Sequence, residues 1–138
     1  MKRIAIILAR GGSKRIPKKN IKEFCGKPII AYSIEAAINS NLFDKVMVST
    51  DDENIAKLAL KYGAVVPFLR SEKSSNDFAT TFDVIEEVLE EFKNRKEIFD
   101  YTCCIYACAP FISLANLKLS FNKLIDKKFD SVLPIIPF

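Results

Sequence analysis

Apolar residues along this chain form short continuous runs that alternate with longer segments of helical spacing. The continuous runs are typical of strands buried on both faces, and they occupy residues 4–8, 45–50, 65–66, 101–108 and 131–136. The segments between them repeat apolar residues every three or four positions and therefore predict amphipathic helices. The predicted buried faces are Ile30, Ile34, Ala37 and Ile38; Ile55, Leu58, Ala59 and Tyr62; Phe82, Ile85, Leu89 and Phe92; and Leu114, Leu117, Phe121, Leu124 and Ile125.

The polar residues between these runs are typical of helix ends and loops. Asp51 and Asp52 begin the second helix, where a carboxylate can cap free N–H groups, and Gly63 follows the end of that helix. Segment 70–78 is predicted as a loop, and the third helix then spans about residues 79–94. The glutamates expected mostly on the outer face of that helix are Glu86, Glu87, Glu90 and Glu91.

The strict alternation of strands and helices predicts an α/β fold with a mostly parallel sheet and helices on both faces. This is a Rossmann-like three-layer α/β/α arrangement. Ligands in such folds bind beyond the carboxyl ends of the strands, where connecting loops converge. The segments predicted to meet at that edge are 10–20, 50–51, 70 and 106–111.

The first of these segments combines a glycine pair with dense positive charge. Leu8 to Asn20 reads LARGGSKRIPKKN and follows the first apolar run directly. Gly11 and Gly12 allow a sharp turn and a close approach to a ligand, and Pro17 stiffens the loop. Neither GxxxxGK[ST] nor GxGxxG is present. A solvated basic loop is the alternative, but the preceding strand and the following βα pattern favour a polyphosphate site.

Composition narrows the classes of ligand and location. Residues 1–28 carry nine lysines or arginines and one acid, whereas the whole chain has a net charge of +4. A local cationic patch favours a small anion over a nucleic-acid groove. No apolar span is long enough for a transmembrane helix or a signal peptide, so we expect a cytoplasmic protein with no membrane partner.

The four cysteines are expected to be buried free thiols rather than metal ligands. Three of them, Cys103, Cys104 and Cys108, lie in one apolar run, and the chain has no histidine. Adjacent strand residues point to opposite faces of a sheet, so Cys103 and Cys104 cannot easily grip one ion together. We therefore predict no metal site among these residues.

The motif LARGGSKRIPKKN resembles the opening signature of the acylneuraminate (CMP-sialic acid synthetase) family of sugar-activating cytidylyltransferases. The resemblance continues through segments 48–51, 68–71 and 105–111, and covers essentially the whole chain. It implies the nucleotide-diphospho-sugar transferase variant of the Rossmann-like fold. The implied reaction joins CTP to a nine-carbon nonulosonic acid, releasing pyrophosphate, for surface glycans or flagellin. Pseudaminic acid is the expected sugar, with sialic acid, 3-deoxy-manno-octulosonate or a non-catalytic nucleotide-binding module as alternatives.

The resemblance also implies roles for individual residues. Arg10 and Lys19 are expected to be the catalytic charges. Arg70 and the backbone of Ala79 are expected to bind the cytosine edge, and Tyr106 is expected to contact the sugar. The implied nucleotide-binding set is Leu8, Ala9, Arg10, Gly11, Gly12, Ser13, Lys19, Asn20, Arg70, Ala79 and Thr81. Other interpretations remain open for four residues. Arg70 could be an ordinary surface arginine, and Thr81 could only support the start of a helix. Lys14 and Arg15 could contribute only to the electrostatic field, without contacting the ligand. Asp51 is expected to be a cap rather than a ligand.

Two departures from the family pattern limit what these residues can do. CMP-sialic acid synthetases typically carry Gln-Pro-Thr-Ser-Pro where this chain has Tyr106-Ala107-Cys108-Ala109-Pro110. The tyrosine fits the pseudaminic acid branch. By resemblance, the aspartates that bind Mg2+ lie beyond residue 138, as does a segment used for the sugar and for a homodimer. We therefore expect residues 1–138 to be the N-terminal nucleotide-binding part of one cytidylyltransferase domain, truncated at its C-terminal side and incomplete for turnover.

Overall fold

The structure, a computed structural model, describes residues 1–126 and 128–135. The strands of this described part are β1 (Arg3–Leu8), β2 (Glu23–Phe24), β3 (Lys27–Pro28), β4 (Lys45–Ser49) and β5 (Tyr101–Tyr106). Its α-helices are α1 (Ile29–Asn39), α2 (Glu53–Lys61), α3 (Glu72–Ser75), α4 (Thr81–Asn94) and α5 (Leu114–Asp126). A single 3-10 turn, Lys19–Ile21, lies in the loop after β1.

The main sheet has the order β4-β1-β5, and both pairings are parallel. Leu8, at the end of β1, lies beside Ser49 of β4 and Tyr106 of β5, so the three strands end together. Strand β1 is central because Ile4 to Ile7 are fully buried and carry no charge that would need water. The predicted parallel sheet is confirmed.

Helices pack on both faces of this sheet because successive strand residues point to opposite sides. Ala5 and Ile7 of β1 pack in a cluster with residues of α1, α2 and α5. Ile4 and Ile6 pack on the other side with Val88 and Phe92 of α4. The predicted three-layer α/β/α arrangement is therefore confirmed. Its layers hold the carboxyl ends of the strands at a single edge.

Several predicted elements differ in extent. The third strand is reduced to one parallel bridge between Val65 and Met47, and β5 ends at Tyr106 rather than at residue 108. Segment 70–78, predicted as loop, contains the short helix α3. Ser71 accepts a hydrogen bond from the Ser74 N–H and so caps that helix. The polar composition of the segment favoured a loop, so this capping residue was not recognised in the sequence.

The predicted buried face of the third helix was wrong at its first residue. Phe82 is 83% exposed, whereas Val84, Val88 and Phe92 are buried. The buried stripe has the spacing i, i+4, i+8. Phe82 precedes Val84 by two residues, which turns it to nearly the opposite side of the helix at 3.6 residues per turn. Both stripes share the same period, so the pattern alone did not separate them.

The predicted strand at 131–136 does not form in residues 131–135, and residue 136 lies outside the described residues. A strand exists by pairing with a neighbour, and Pro134 lacks the N–H that such pairing uses. Leu133 and Ile135 are 81% and 90% exposed. The cysteine prediction also needs correction. All four are free, but Cys25 is exposed and the others are only partly buried.

Within residues 1–126 and 128–135, no helix has both the length and the apolar character needed to cross a bilayer.

Candidate nucleotide-binding site

A cavity of about 250 Å3 opens at the carboxyl edge of the sheet. It is enclosed by the loop after β1, the segment from Arg70 to α4, and the residues that end β5. The lining residues are Leu8, Arg10, Lys19, Asn20, Arg70, Ser74, Asn76, Asp77, Ala79, Thr80, Thr81, Val84, Tyr106, Ala107 and Cys108. Eight of these residues belong to the predicted site, although they come from four separate parts of the chain. Three of the four segments predicted to meet at this edge, 10–20, 70 and 106–111, therefore line the cavity, whereas residues 50–51 do not.

Arg10 spans the cavity and is held at its far side. Its Nη1 donates to the carbonyl oxygen of Asn76 at 2.9 Å, to that of Ser75 at 3.4 Å, and to Asp77 Oδ1 at 2.9 Å. Lys14, from the same loop, donates to the other carboxylate oxygen of Asp77. The Lys14 hydrogen bond, with a smaller contribution from Arg10, lowers the pKa of the Asp77 carboxyl. Asp77 is thus anionic at neutral pH.

The two glycines of the loop serve different structural purposes. Neither adopts a positive φ, so the predicted sharp turn is not what requires them. A Cβ on Gly11 would lie 2.8 Å from the Cβ of Asp52, whereas a Cβ on Gly12 would meet nothing within 4 Å. Gly11 is therefore required by close packing, while Gly12 borders open space. The left-handed residue of this loop is Lys18, with φ of 54°.

The adjacent aspartates after β4 separate into two roles. Asp52 caps α2 by accepting from the N–H groups of Asn54 at 2.7 Å and Ile55 at 3.0 Å. Asp51 does not cap that helix; its Oδ1 accepts from the Gly11 N–H at 2.8 Å. The prediction that Asp51 is a cap was therefore wrong, because the local sequence does not show which of two neighbours faces the helix. Asp51 instead fastens the start of the basic loop.

Asn20 fixes the other end of the loop. Its side chain is buried, donates from Nδ2 to the carbonyl oxygen of Arg10 at 2.8 Å, and accepts at Oδ1 from Cys108 Sγ at 3.3 Å. Burial raises the pKa of the Cys108 thiol, and Lys19 partly offsets that rise. Asn20 therefore joins the loop to the segment after β5, while the exposed Lys19 beside it lines the cavity.

Arg70 is anchored to the end of β4. Its Nη2 donates to the Ser49 carbonyl oxygen at 2.7 Å, its Nε to Ser49 Oγ at 3.1 Å, and its Nη1 to the Ser74 carbonyl oxygen at 3.5 Å. A guanidinium has five N–H donors, so one on each terminal nitrogen is left for a ligand. Burial lowers the pKa of Arg70, and the charges of Asp51 and Glu87 oppose that shift. Arg70 is not a free surface arginine.

Backbone and hydroxyl groups complete the wall opposite β1. Asn76 Oδ1 accepts from the N–H of Ala79 at 2.9 Å, which leaves the Ala79 carbonyl as the backbone group for a ligand. Thr80, not Thr81, is the N-cap of α4, in a capping box with Asp83. Thr81 Oγ1 lies 3.0 Å from the hydroxyl of Tyr106. Thr81 therefore does more than begin the helix, because its hydroxyl also contacts Tyr106.

Two cavity residues, Ala107 and Cys108, lie in segment 106–111, which was predicted to reach this edge. Seven cavity residues, these two included, were not among the predicted site residues. These are Ser74, Asn76, Asp77, Thr80, Val84, Ala107 and Cys108. The four predicted residues that do not line the cavity are Ala9, Gly11, Gly12 and Ser13. Ala9 is fully buried and donates its N–H to the Ser49 carbonyl oxygen at 3.0 Å, so it extends the pairing of β1. The roles of these four in ligand binding stay predictions.

Glu87 supports the cavity from behind and was predicted to point outward. Its carboxylate accepts from the N–H of Ser71 at 2.9 Å and from the hydroxyls of Ser71 and Ser74. Burial opposes ionisation, but these hydrogen bonds prevail and lower the pKa of Glu87. The cue in the sequence was weak: Glu87 lies three residues after the buried Val84, so the two side chains share a flank of α4.

A parallel α/β sheet with a cationic cavity at its carboxyl edge defines a protein of the nucleotide-binding class. A family model described as Cytidylyltransferase matches residues 4–134. The chain belongs to the cytidylyltransferase family.

Two curated relatives and one solved structure illustrate this likeness. The chain is 48% identical over 128 residues to the pseudaminic acid cytidylyltransferase of Campylobacter jejuni serotype O:2, a match that covers 93% of this chain and 55% of the relative. It is 42% identical over 132 residues to N-acylneuraminate cytidylyltransferase A of Danio rerio, covering 96% of this chain and 30% of that relative.

The solved structure is that of CMP:2-keto-3-deoxy-manno-octonic acid synthetase complexed with CTP. It shares the fold at a TM-score of 0.77 and 24% identity, over 93% of this chain and 49% of that chain. The chain thus spans about half the length of the pseudaminic acid relative and of this structure.

Proposed function

We propose that residues 1–138 are the N-terminal nucleotide-binding part of a longer cytidylyltransferase. The enzyme would join CTP to a nine-carbon nonulosonic acid, pseudaminic acid above all, and release pyrophosphate. The observation that carries this proposal is the meeting of Arg10, Lys19 and Arg70 around one cavity at the carboxyl edge of the sheet. Membership of the family and the 48% identity to a pseudaminic acid cytidylyltransferase support the choice of reaction.

In this proposal the protein mainly positions the reactants and stabilises charge. The anomeric hydroxyl of the sugar attacks the α-phosphate of CTP and gives up its proton to solvent, the bond from that phosphate to the β-phosphate oxygen breaks, and pyrophosphate leaves with the electron pair of that bond. Arg10 and Lys19 hold the phosphates, on which negative charge shifts during transfer. The buried Asn20 and the Gly11–Asp51 contact hold the loop in place beforehand, which reduces the entropy cost of ligand binding.

Recognition of cytosine would use a donor and an acceptor from the wall opposite the loop. The remaining N–H groups of Arg70 can donate to the O2 and N3 acceptors of the base. The Ala79 carbonyl can accept from the exocyclic amino group, since the Ala79 N–H is already given to Asn76. Uracil presents a carbonyl where cytosine presents that amino group. A carbonyl facing a carbonyl loses a hydrogen bond and adds repulsion, so this arrangement disfavours UTP.

The sugar would lie on the β5 side of the cavity, next to Tyr106. This side chain is 60% exposed, and Ser33 Oγ fixes its backbone by donating to the carbonyl oxygen at 2.9 Å. Its hydroxyl and that of Thr81 present a polar pair to a substrate. Sialic acid and 3-deoxy-manno-octulosonate stay as alternative sugars, since relatives or neighbours named for them share the family or the fold.

The cofactor, assembly and location belong to the same proposal. In the part of the chain that the structure describes, no three histidine, cysteine, aspartate or glutamate side chains are grouped to hold a metal ion. We propose that the ligands for Mg2+ lie beyond residue 138. We likewise propose a cytoplasmic enzyme that is a homodimer at full length, and we assign turnover to the longer protein.

Nucleotide selectivity tests the base assignment. We expect CTP to raise the melting temperature more than UTP, GTP or ATP at equal millimolar concentration, because ligand binding stabilises the folded state in proportion to RT ln(1 + [L]/Kd). A hydrogen-bonding group that the bound base covers but leaves without a partner costs about 1–3 kcal/mol, so UTP should bind roughly tenfold to a hundredfold more weakly. Isothermal titration calorimetry measures that ratio. Equal affinities for all four nucleotides would contradict the cytosine assignment.

Sugar turnover tests the reaction itself. We expect the full-length enzyme to release pyrophosphate from CTP with pseudaminic acid faster than with sialic acid or 3-deoxy-manno-octulosonate. A preference for one of the other sugars would replace the proposed substrate but retain the reaction. CTP binding without turnover of any of them would favour the non-catalytic nucleotide-binding module.

A further inference from the structure

One carboxylate closes the cationic end of the cavity. Asp77 Oδ1 accepts from Arg10 Nη1 at 2.9 Å, and Asp77 Oδ2 accepts from Lys14 Nζ. Each oxygen therefore takes a different cation, as two oxygens of a phosphate would. The Asp77 side chain is 43% exposed, so a ligand in the cavity has access to this arrangement.

The two cations depend on Asp77 to different degrees. Arg10 also donates to the carbonyl oxygens of Ser75 and Asn76, so it stays attached to this wall without the carboxylate. Lys14 is 79% exposed at its side chain, and its ion pair among the described residues is the one with Asp77. Loss of the carboxylate would therefore release Lys14 and leave Arg10 in place.

We propose that Asp77 is a positioning residue that takes the place of a phosphate between Arg10 and Lys14 in the ligand-free protein. A polyphosphate ligand would displace the carboxylate and take over Lys14. This inference rests on the proposed function and extends it, because it names the internal group with which the ligand competes. Asp77 is one of the cavity-lining residues that were not predicted from the sequence.

The charges around Asp77 explain why it competes with a ligand. Arg10 and Lys14 are close enough to repel each other, and Asp77 neutralises that repulsion while the cavity is empty. A diphosphate or triphosphate brings more negative charge than one carboxylate and can contact both cations. Asp77 then becomes a like charge beside the ligand, so it weakens binding even after it has moved. The wild-type protein thus binds phosphate less tightly than the same loop would without Asp77.

The test is Asp77→Asn, which keeps the size of the side chain and removes its charge. We expect it to bind inorganic pyrophosphate and CTP about threefold to tenfold more tightly at about 0.1 M salt, as the loss of exposed ion pairs allows. The gain should shrink at about 0.5 M salt, where screening is strong. Titration calorimetry measures both ligands. Affinity that is unchanged or weaker in Asp77→Asn overturns the proposal.

The matched control is Asp44→Asn. Asp44 is also paired with an arginine, Arg3, but at the opposite end of β1, about 17 Å away along a strand of six residues. Asp44→Asn removes the same charge, but at about 0.1 M salt the Debye length is about 10 Å, shorter than this separation. We therefore expect pyrophosphate affinity to stay within about twofold of the wild type. An equal gain in Asp44→Asn would show an effect of net charge and would overturn the assignment to Asp77.

A double-mutant cycle identifies the released cation. In a Lys14→Ala background, Asp77→Asn should improve pyrophosphate binding by less than half as much as it does beside Lys14. A gain of full size in that background overturns the role given to Lys14. The titrations with pyrophosphate and with CTP also distinguish failure of this inference from failure of the proposed function. Tighter pyrophosphate binding without CTP preference would support Asp77 and contradict the cytidylyltransferase proposal, whereas CTP preference without an Asp77 effect would do the reverse.

Discussion

The two glycines of the basic loop allow one structural prediction to be made with an internal control. A Cβ added to Gly11 would lie 2.8 Å from Asp52 Cβ and 3.1 Å from Asp52 Oδ2. Ordinary contacts between carbon atoms are about 3.5–4.0 Å, so either Asp52 or the loop must move. A Cβ added to Gly12 would meet nothing within 4 Å. Gly11→Ala and Gly12→Ala therefore add the same methyl group in two different environments.

The cost of Gly11→Ala can be estimated from what Asp52 does. Asp52 Oδ1 accepts from the N–H groups of Asn54 and Ile55, and loss of such a cap costs about 1 kcal/mol. Overpacking against the rest of the side chain adds about 1 kcal/mol at the low end of its range. Both alanines lower the conformational entropy of the unfolded chain by the same amount, so this contribution to the unfolding free energy cancels when the two variants are compared. Gly11→Ala should be about 2 kcal/mol less stable than Gly12→Ala.

Urea unfolding followed by far-ultraviolet circular dichroism measures this difference, since the chain has no tryptophan to report by fluorescence. The melting temperatures should differ by roughly 7 °C for a chain of this length. We also expect Gly12→Ala to retain wild-type stability but to bind CTP more weakly, because its methyl group projects into the open space beside the loop. Equal unfolding free energies for the two variants would refute the packing argument for Gly11.

The remaining predictions concern charge. Arg10→Ala and Lys19→Ala should each lower kcat of the full-length enzyme about a hundredfold, with a smaller change in KM, because the phosphates gain charge in the transition state. Steady-state kinetics that show only a raised KM would limit both residues to ground-state binding. Because its folded-state pKa is lowered, Glu87 stabilises the fold above the usual value of 4.5, and this contribution is lost as pH falls through the lower folded-state pKa. Acid unfolding of Glu87→Gln should lack that component; an unaltered pH profile would argue against it.

Much of the site could be predicted because parallel strands bring distant segments to one edge. Arg10 follows β1, Arg70 follows the strand predicted at 65–66, of which one bridge remains, and Tyr106 ends β5, yet all three line one cavity. The apolar runs place the strands, and the polar residue after each strand then lies at the shared edge. No contact between particular side chains had to be known for that prediction.

The partners of these side chains could not be predicted in the same way. Asp77 meets Lys14 across 63 positions of the chain, and Asp51 meets Gly11 across 40. Two adjacent aspartates have the same local propensity to cap a helix, and only the approach of Gly11 decides that Asp51 turns toward the loop. Glu87 appears on an outer helix face by periodicity, but the helix α3 brings two serines to it.

The spacing of apolar residues was sufficient to predict the alternation of buried strands and amphipathic helices, and with it the parallel sheet, its layers and the edge at which the cavity opens. It was sufficient because burial periodicity is a local property, readable from the sequence. Three features could be learned only from the folded protein: which stripe of α4 is buried, whether residues 131–135 pair with a strand, and which anion contacts Arg10 and Lys14. Those outcomes depend on pairing and packing between distant segments, whose energies no single segment contains.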